Sequence, residues 1–324
     1  MSSMSPRQIE IEFSSENFPI GSIVQNGPGV LKTSWDELLW AAVTVGRPNR
    51  HYVFRHGDAS VYEAIFRWSL VRMSLEQRGF YGYRLRRTDS VKTLDPTEKG
   101  AVNYFLGMIF CKLFAAKLLN TPWLLHLDVF RRQLNTVLTG RSRPDLIGME
   151  HGSCQWHAFE CKGRISPPGR DVKDKAKQQA HRIVSVNGTP CSLHVGAITF
   201  FSNDALQFYW CDPVSEVKNP IEIQFSDEAW QYYYAPIMQI ITKATRMGSL
   251  QKEGAIIPIE ELDLQVSIHP AVEKYLLQRE WSSAVKAAFE AKDEMIEAGY
   301  QPDGLAVRAG DTWHTRFEES SFNQ

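Results

Sequence analysis

The chain has 324 residues, 43% of them hydrophobic and 23% charged, and a formal net charge of -1. This is globular composition, with enough apolar residues for one large core or two to three smaller ones, and it argues against a protein that coats nucleic acid over its whole surface. Five cysteines, an odd number, and no secretory apolar opening argue against a disulfide framework and lead us to expect a cytoplasmic protein with free thiols.

Charge is unevenly distributed: between Arg131 and Arg182 eleven Lys and Arg face five Asp and Glu, a local excess of +6. After a short strand, Ile9 to Phe13, Ser34 and Glu37 form a capping box that opens an apolar helix. A second box, Ser60 with Glu63, predicts a helix continuing to Arg78 and ending at Gly79. Asp95-Pro96-Thr97-Glu98 supplies a cap, a proline at the first helical position and an acid at the third, ahead of a helix that is apolar almost all round to Asn120. Its apolar stretch, Tyr104 to Leu119, carries Lys112 and Lys117 and falls short of the ~20 residues that a bilayer requires, so no membrane association is expected.

Three strands are predicted next, Trp123 to Phe130, Arg143 to Glu150 and Trp156 to Gly163, the last two forming a hairpin around His151 to Gln155. A break at Pro167-Pro168-Gly169 precedes a basic helix expected from Asp171 to Asn187, ended by Gly188, and two strands follow, Leu193 to Phe201 and Leu206 to Cys211. Strand and helix alternate here as in an α/β sandwich whose last helix makes a crossover. Helices are expected over Asp227 to Met247 and Pro270 to Ala298, the latter with a possible break at Ser282 and Ser283. The expected division is an N-terminal α/β region (1–94), a central core (95–220) and a mostly helical C-terminal region (221–324).

Four acid-x-lysine triplets occur, at Glu160, Asp171, Glu216 and Glu290, and only the first falls in a predicted strand. Alternation along that strand puts Trp156, Ala158, Glu160 and Lys162 on one face and His157, Phe159 and Cys161 on the other. An antiparallel neighbour carrying Asp145 near its start would bring a second carboxylate beside Glu160. Two carboxylates that close favour a cation between them, and hard oxygen ligands, including the backbone carbonyl of Cys161, suit Mg²⁺ or Mn²⁺. Such an ion acidifies water and offsets charge on a scissile phosphate, with Lys162 serving the water. Without a metal, the same three side chains would make an exposed ion-pair cluster contributing at most ~1 kcal/mol.

Pro144-Asp145 followed by Glu160-Cys161-Lys162 resembles the motifs of the PD-(D/E)XK, or restriction-endonuclease-like, nuclease superfamily, over roughly residues 96 to 212. The resemblance implies an αβββαβ core sandwich, metal binding by Asp145 and Glu160, and a catalytic Lys162. It also implies a helix glutamate, for which Glu98 is the candidate, and a glutamine on the following helix, Gln178 or its neighbour Gln179. Arg141, Arg143, Arg164, Lys173, Lys177 and Arg182 are candidate phosphate contacts. The expected function is a metal-dependent nuclease, an endonuclease with DNA favoured over RNA, in a setting such as antiviral defence, mobile-element processing or repair. The rival is a non-catalytic or partner-activated nucleic-acid-binding or scaffold subunit, with the flanking regions as the partner surface. A His151-Cys154-His157-Cys161 series has the look of a zinc site, but along a strand His157 and Cys161 would stand ~13 Å apart, too far for one ion.

Overall fold

The computed structural model describes residues 8–45, 58–78, 83–127, 144–212, 220–246 and 254–315, and they form a mixed α/β structure. In chain order the first elements are β1 (Ile9–Glu16), β2 (Gly27–Thr33), α1 (Trp35–Thr44), α2 (Asp58–Ser74), β3 (Leu75–Arg78), β4 (Arg84–Arg87), α3 (Asp89–Thr93) and α4 (Pro96–Leu118). The central elements are β5 (Trp123–His126), β6 (Leu146–Met149), β7 (Trp156–Gly163), α5 (Arg170–Ala180), β8 (Ile183–Val186), β9 (Thr189–Pro190), β10 (Leu193–Ser202) and β11 (Ala205–Cys211). The last are β12 (Ile221–Ile223), α6 (Trp230–Arg246), β13 (Ile257–Ile259), β14 (Leu264–Ile268), α7 (Pro270–Leu277), α8 (Trp281–Glu290), α9 (Lys292–Glu297) and β15 (Leu305–Ala309).

Among the described residues, nine strands build one sheet in the order β2-β1-β4-β11-β10-β7-β6-β5, with β3 on β4 and β1 also pairing β11. β6 runs antiparallel to both β5 and β7, and β10 returns parallel to β7 across the α5 crossover. The N-terminal strands extend this same sheet, since β1 lies parallel to β11 from Glu12 opposite Gln207 to Glu16 opposite Cys211.

The caps predicted for α1 and α4 form: Ser34 Oγ accepts from Glu37 N–H while the Glu37 carboxylate accepts from Ser34 N–H, and Asp95 and Glu98 do the same. The box predicted at Ser60 and Glu63 does not open α2, because that helix begins at Asp58 and Ser60 lies within it. Other boundaries differ from expectation. α2 stops at Ser74, because Leu75–Arg78 pairs with β4 instead of continuing the helix. α5 stops at Ala180, and Ile183 to Val186 form β8, paired with β9 and β12. Asn187 and Gly188, at φ 50° and 76°, make the hairpin turn into β9 and not a helix end. The long C-terminal helix is three helices, broken at Arg279 (φ 63°) and at Ala291 and not at Ser282 and Ser283, which lie inside α8. The C-terminal region is also less helical than expected, because β13, β14 and β15 form an antiparallel sheet.

Helices cover both faces of β7. Cys161 meets Cys111 of α4, and a Cβ on Gly163 would strike the Asn103 backbone, so odd-numbered residues of β7 face α4. Lys162 bonds to Gln179, and Gly196, opposite Glu160, lies under Ala176, so even-numbered residues face α5. The buried residues Ala176 and Ala180 let α5 approach this closely.

The C-terminal segment is tied to α4 through a buried cation. Lys112 stands 4.2 Å from the Trp40 ring and 4.6 Å from the Tyr233 ring and donates to the Pro122 carbonyl and to Tyr233 Oη (2.6 Å). Tyr233 Oη and Trp40 Nε1 donate in turn to Asp303, at 2.5 and 2.8 Å. Complete burial pushes Lys112 down to about 7, partly opposed by the Asp303 charge. The same burial raises Asp303, against the opposing influence of Lys112.

Candidate metal and phosphodiester site

Three adjacent strand positions set the site. Asp145 lies just before β6, where its N–H donates to the Phe159 carbonyl (3.0 Å) and its Oδ2 accepts the Cys161 N–H (2.8 Å). Phe159 and Cys161 flank Glu160, so Asp145 is fastened across the Glu160 position of β7. Within an extended strand a residue's N–H and C=O point to the same edge, so the Cys161 carbonyl also faces the Asp145 side. The Cys161 thiol turns the other way, toward Cys111, and burial raises its pKa well above the usual range.

Glu160 is 1% exposed, and one of its carboxylate oxygens is paired with Lys162 Nζ. Lys162 has a side chain 30% exposed and also donates to Gln179 Oε1 at 2.9 Å. A buried carboxylate, a half-exposed ammonium and an amide carbonyl thus form a chain leading outward from β7 to α5. Burial of the Glu160 carboxylate makes the pair sensitive to substitution of either partner.

Asp145 is thus bonded to the Cys161 N–H, and Glu160 and Gln179 to Lys162; the other candidates make none of these contacts. Glu98 is exposed and its carboxylate accepts from Asp95 N–H (3.2 Å), completing the cap of α4. Gln178 is exposed, whereas Gln179, 100° further round the helix, is the glutamine that reaches Lys162. Arg164 is exposed one residue beyond β7. Lys173 is directed away from Glu160, to Glu16 (3.4 Å) and over the Tyr209 ring (3.7 Å), and Lys177 is half-buried near it. Arg182 is only 8% exposed, so it does not belong to a phosphate-binding surface. Arg141 and Arg143 lie outside the described residues.

Sequence reasoning missed the glycine crossing beneath the site. Cβ atoms built at Gly163 and Gly107 would lie 1.7 Å from the Asn103 carbonyl oxygen and 2.8 Å from Gly163 N, so α4 crosses β7 backbone to backbone directly after Lys162. A glycine within an otherwise apolar helix was the available signal. His126, at the end of β5, is buried and its Nε2 lies 3.2 Å from Tyr104 Oη of α4.

The zinc-like series disperses: His151 stacks on Trp123, Cys154 is exposed, His157 is buried and Cys161 meets Cys111. Among the described residues no three His, Cys, Asp or Glu side chains gather as a metal-binding group. Comparison with protein-family profiles, curated proteins and solved structures found no match to this chain.

Proposed function

We propose that the chain is a divalent-metal-dependent nuclease of the PD-(D/E)XK type, acting on nucleic acid with DNA favoured, on a core formed by α4, β5, β6, β7, α5 and β10. The observation that carries this reading is the bond from Cys161 N–H to Asp145 Oδ2, which fixes one carboxylate across the strand position of the other, with Lys162 next on the same strand. The antiparallel β5-β6-β7 meander with β10 parallel to β7 supports the same assignment.

The donor set suits a hard divalent cation. Two carboxylates and a backbone carbonyl are oxygen ligands, the neighbouring thiol points away, and Mg²⁺ ordinarily takes one or two carboxylates and completes its shell with water and substrate phosphate. Such an ion does not require a third acidic or imidazole ligand, and none joins the two carboxylates among the described residues. When bound, Mg²⁺ or Mn²⁺ supplies an acidified water and neutralises charge developing on the phosphate. The chain's own residues do the rest. The Cys161 N–H orients Asp145, Gln179 and Glu160 hold the Lys162 ammonium, and Lys162 positions a hydrogen-bonded water and offers a cation to the phosphate oxygens.

The test is cleavage of labelled single-stranded DNA, double-stranded DNA and RNA with Mg²⁺, Mn²⁺ or EDTA, by wild type, Glu160→Gln and Lys162→Met. Thermal melting establishes that the variants are folded. Metal-dependent cutting that falls at least a hundredfold in both variants is expected. Absence of cutting by wild type, with salt-sensitive binding intact in all three, would replace the nuclease by a non-catalytic nucleic-acid-binding subunit.

A further inference from the structure

The basic residues of α5 lie on two sides of the helix, and only one side adjoins the site. Lys173, Lys177 and Arg170 lie about 120°, 160° and 180° round the helix from Gln179. Lys173 is paired with Glu16 (3.4 Å) and covers the Tyr209 ring, Lys177 lines the same cleft as Glu16, and Arg170 faces Asp174 at 3.9 Å. Glu16 is level with Glu160 but three strands away, through Cys211 and Gly196, so this side of α5 turns away from the site.

Lys175 is on the other side. It precedes Gln179 by one turn and about 40°, so it shares the flank from which Gln179 reaches Lys162. Its neighbour Ala176 lies over Gly196, which is opposite Glu160 in the sheet, so Lys175 stands level with the buried carboxylate. It is exposed and forms no ion pair among the described residues. Asp171, one turn earlier, does not neutralise it: its Oδ1 turns back to Gly169, 2.9 Å from where a Cβ would stand there. Arg164 supplies a second cation. Its N–H donates to the Thr199 carbonyl at 2.8 Å, which continues the β7–β10 ladder past Gly163. Strand alternation therefore carries through, and Arg164 projects on the side of Lys162, roughly 6.6 Å further along. Arg164 is also exposed and without an ion pair among the described residues.

We infer that Lys175 and Arg164 hold the phosphates flanking the scissile one, so that the substrate backbone crosses the site between the end of β7 and the Gln179 flank of α5, while Lys173, Lys177 and Arg170 take no part. The inference rests on the nuclease reading and refines it. Helical phase divides the basic residues of α5 into a substrate-facing lysine and a set turned to acids of the protein itself. Lys175 and Arg164 lack such acids, flank the Lys162 ammonium on its own face of the sheet, and offer charge without an apolar or aromatic surface. They therefore fit the sugar-phosphate backbone, which is bound without regard to sequence.

The experiment measures binding of a labelled oligonucleotide, single-stranded and duplex, by fluorescence anisotropy in EDTA between about 50 and 200 mM KCl. It compares wild type with Lys175→Met, Arg164→Met, Lys175→Arg and the double variant Lys173→Met/Lys177→Met, each checked for folding by thermal melting. Removing Lys175 or Arg164 is expected to weaken binding and to flatten the plot of log affinity against log salt by roughly 0.7 to 0.9 each. Lys175→Arg, which keeps the charge, should retain the wild-type slope, as should the Lys173/Lys177 double variant. A wild-type slope in Lys175→Met would overturn the inference. So would an equal loss of slope in the Lys173/Lys177 variant, which would make the whole helix a diffuse basic surface, or a wild type that binds neither oligonucleotide. Because binding is read without metal, Lys175-dependent binding by a wild type that never cuts would reject the nuclease reading while upholding the phosphate contacts.

Discussion

Replacing Gly163 by alanine isolates the contact on which the site's geometry depends. Gly163 is not among the glycines with positive φ, so alanine suits its backbone and the only objection is steric. The new Cβ would stand 1.7 Å from the Asn103 carbonyl oxygen and 2.3 Å from its carbonyl carbon. Both atoms belong to the α4 backbone, which cannot rotate aside as a side chain would, so reaching an ordinary contact of 3.4 Å requires the helix to move by about 1.7 Å. Overpacking of this kind costs about 3 kcal/mol, the upper part of the usual range. For a chain of this size that corresponds to a fall in Tm of roughly 4 °C. The assay is urea and thermal denaturation, with cleavage measured well below the transition, where activity should also fall because Lys162 adjoins the displaced segment. A Gly163→Ala protein that melts and cuts like wild type would show that α4 does not cross β7 at this point.

Three further outcomes follow from the same geometry. Burial holds His157 down to about 4 from an ordinary value of 6.5, so the unfolded chain binds the extra proton between those limits. Stability present above pH 6.5 is therefore lost as pH falls through 4, by roughly 3 kcal/mol from this residue, and His157→Phe should flatten that part of a denaturation-versus-pH curve. Asp303→Ala leaves Lys112 buried without its counter-charge and should cost about 3–5 kcal/mol; a double-mutant cycle with Lys112→Met should show strong coupling, whereas additive losses would contradict the network. Gln179→Ala should lower kcat for cleavage about tenfold by removing a bond to the Lys162 ammonium, whereas Gln178→Ala should leave it unchanged.

What could be read in the sequence was what depends on near neighbours. The boxes at Ser34 and Asp95 close within four residues, and alternation from Trp156 to Gly163 alone placed Glu160 and Lys162 on one face of β7. What was missed depends on distant partners. Ile183 to Val186 carry a pattern compatible with helix or strand, and pairing with Ile221–Ile223 decides for the strand. Asn187-Gly188 suits either a helix stop or a hairpin turn, so it could not correct the error. The choice between Gln178 and Gln179 needs the rotational phase of α5, which is set by Ala176 against Gly196. Arg182 followed the same mistaken helix: once the chain turns after Ala180, its side chain is buried instead of lying along a basic face. In the sheet made by β13, β14 and β15, the β14–β15 pairing joins short segments about 40 residues apart, which local periodicity does not reveal.

The central claim is that Asp145 and Glu160 act together as one divalent-cation site. The direct measurement is anomalous X-ray scattering from crystals soaked in Mn²⁺, comparing wild type with Glu160→Gln. We expect a peak between the two carboxylates, with oxygen ligands at ~2.0 to 2.6 Å, that disappears in the variant. Scattering elsewhere on the molecule, or a peak that survives the loss of the Glu160 charge at full strength, would contradict it.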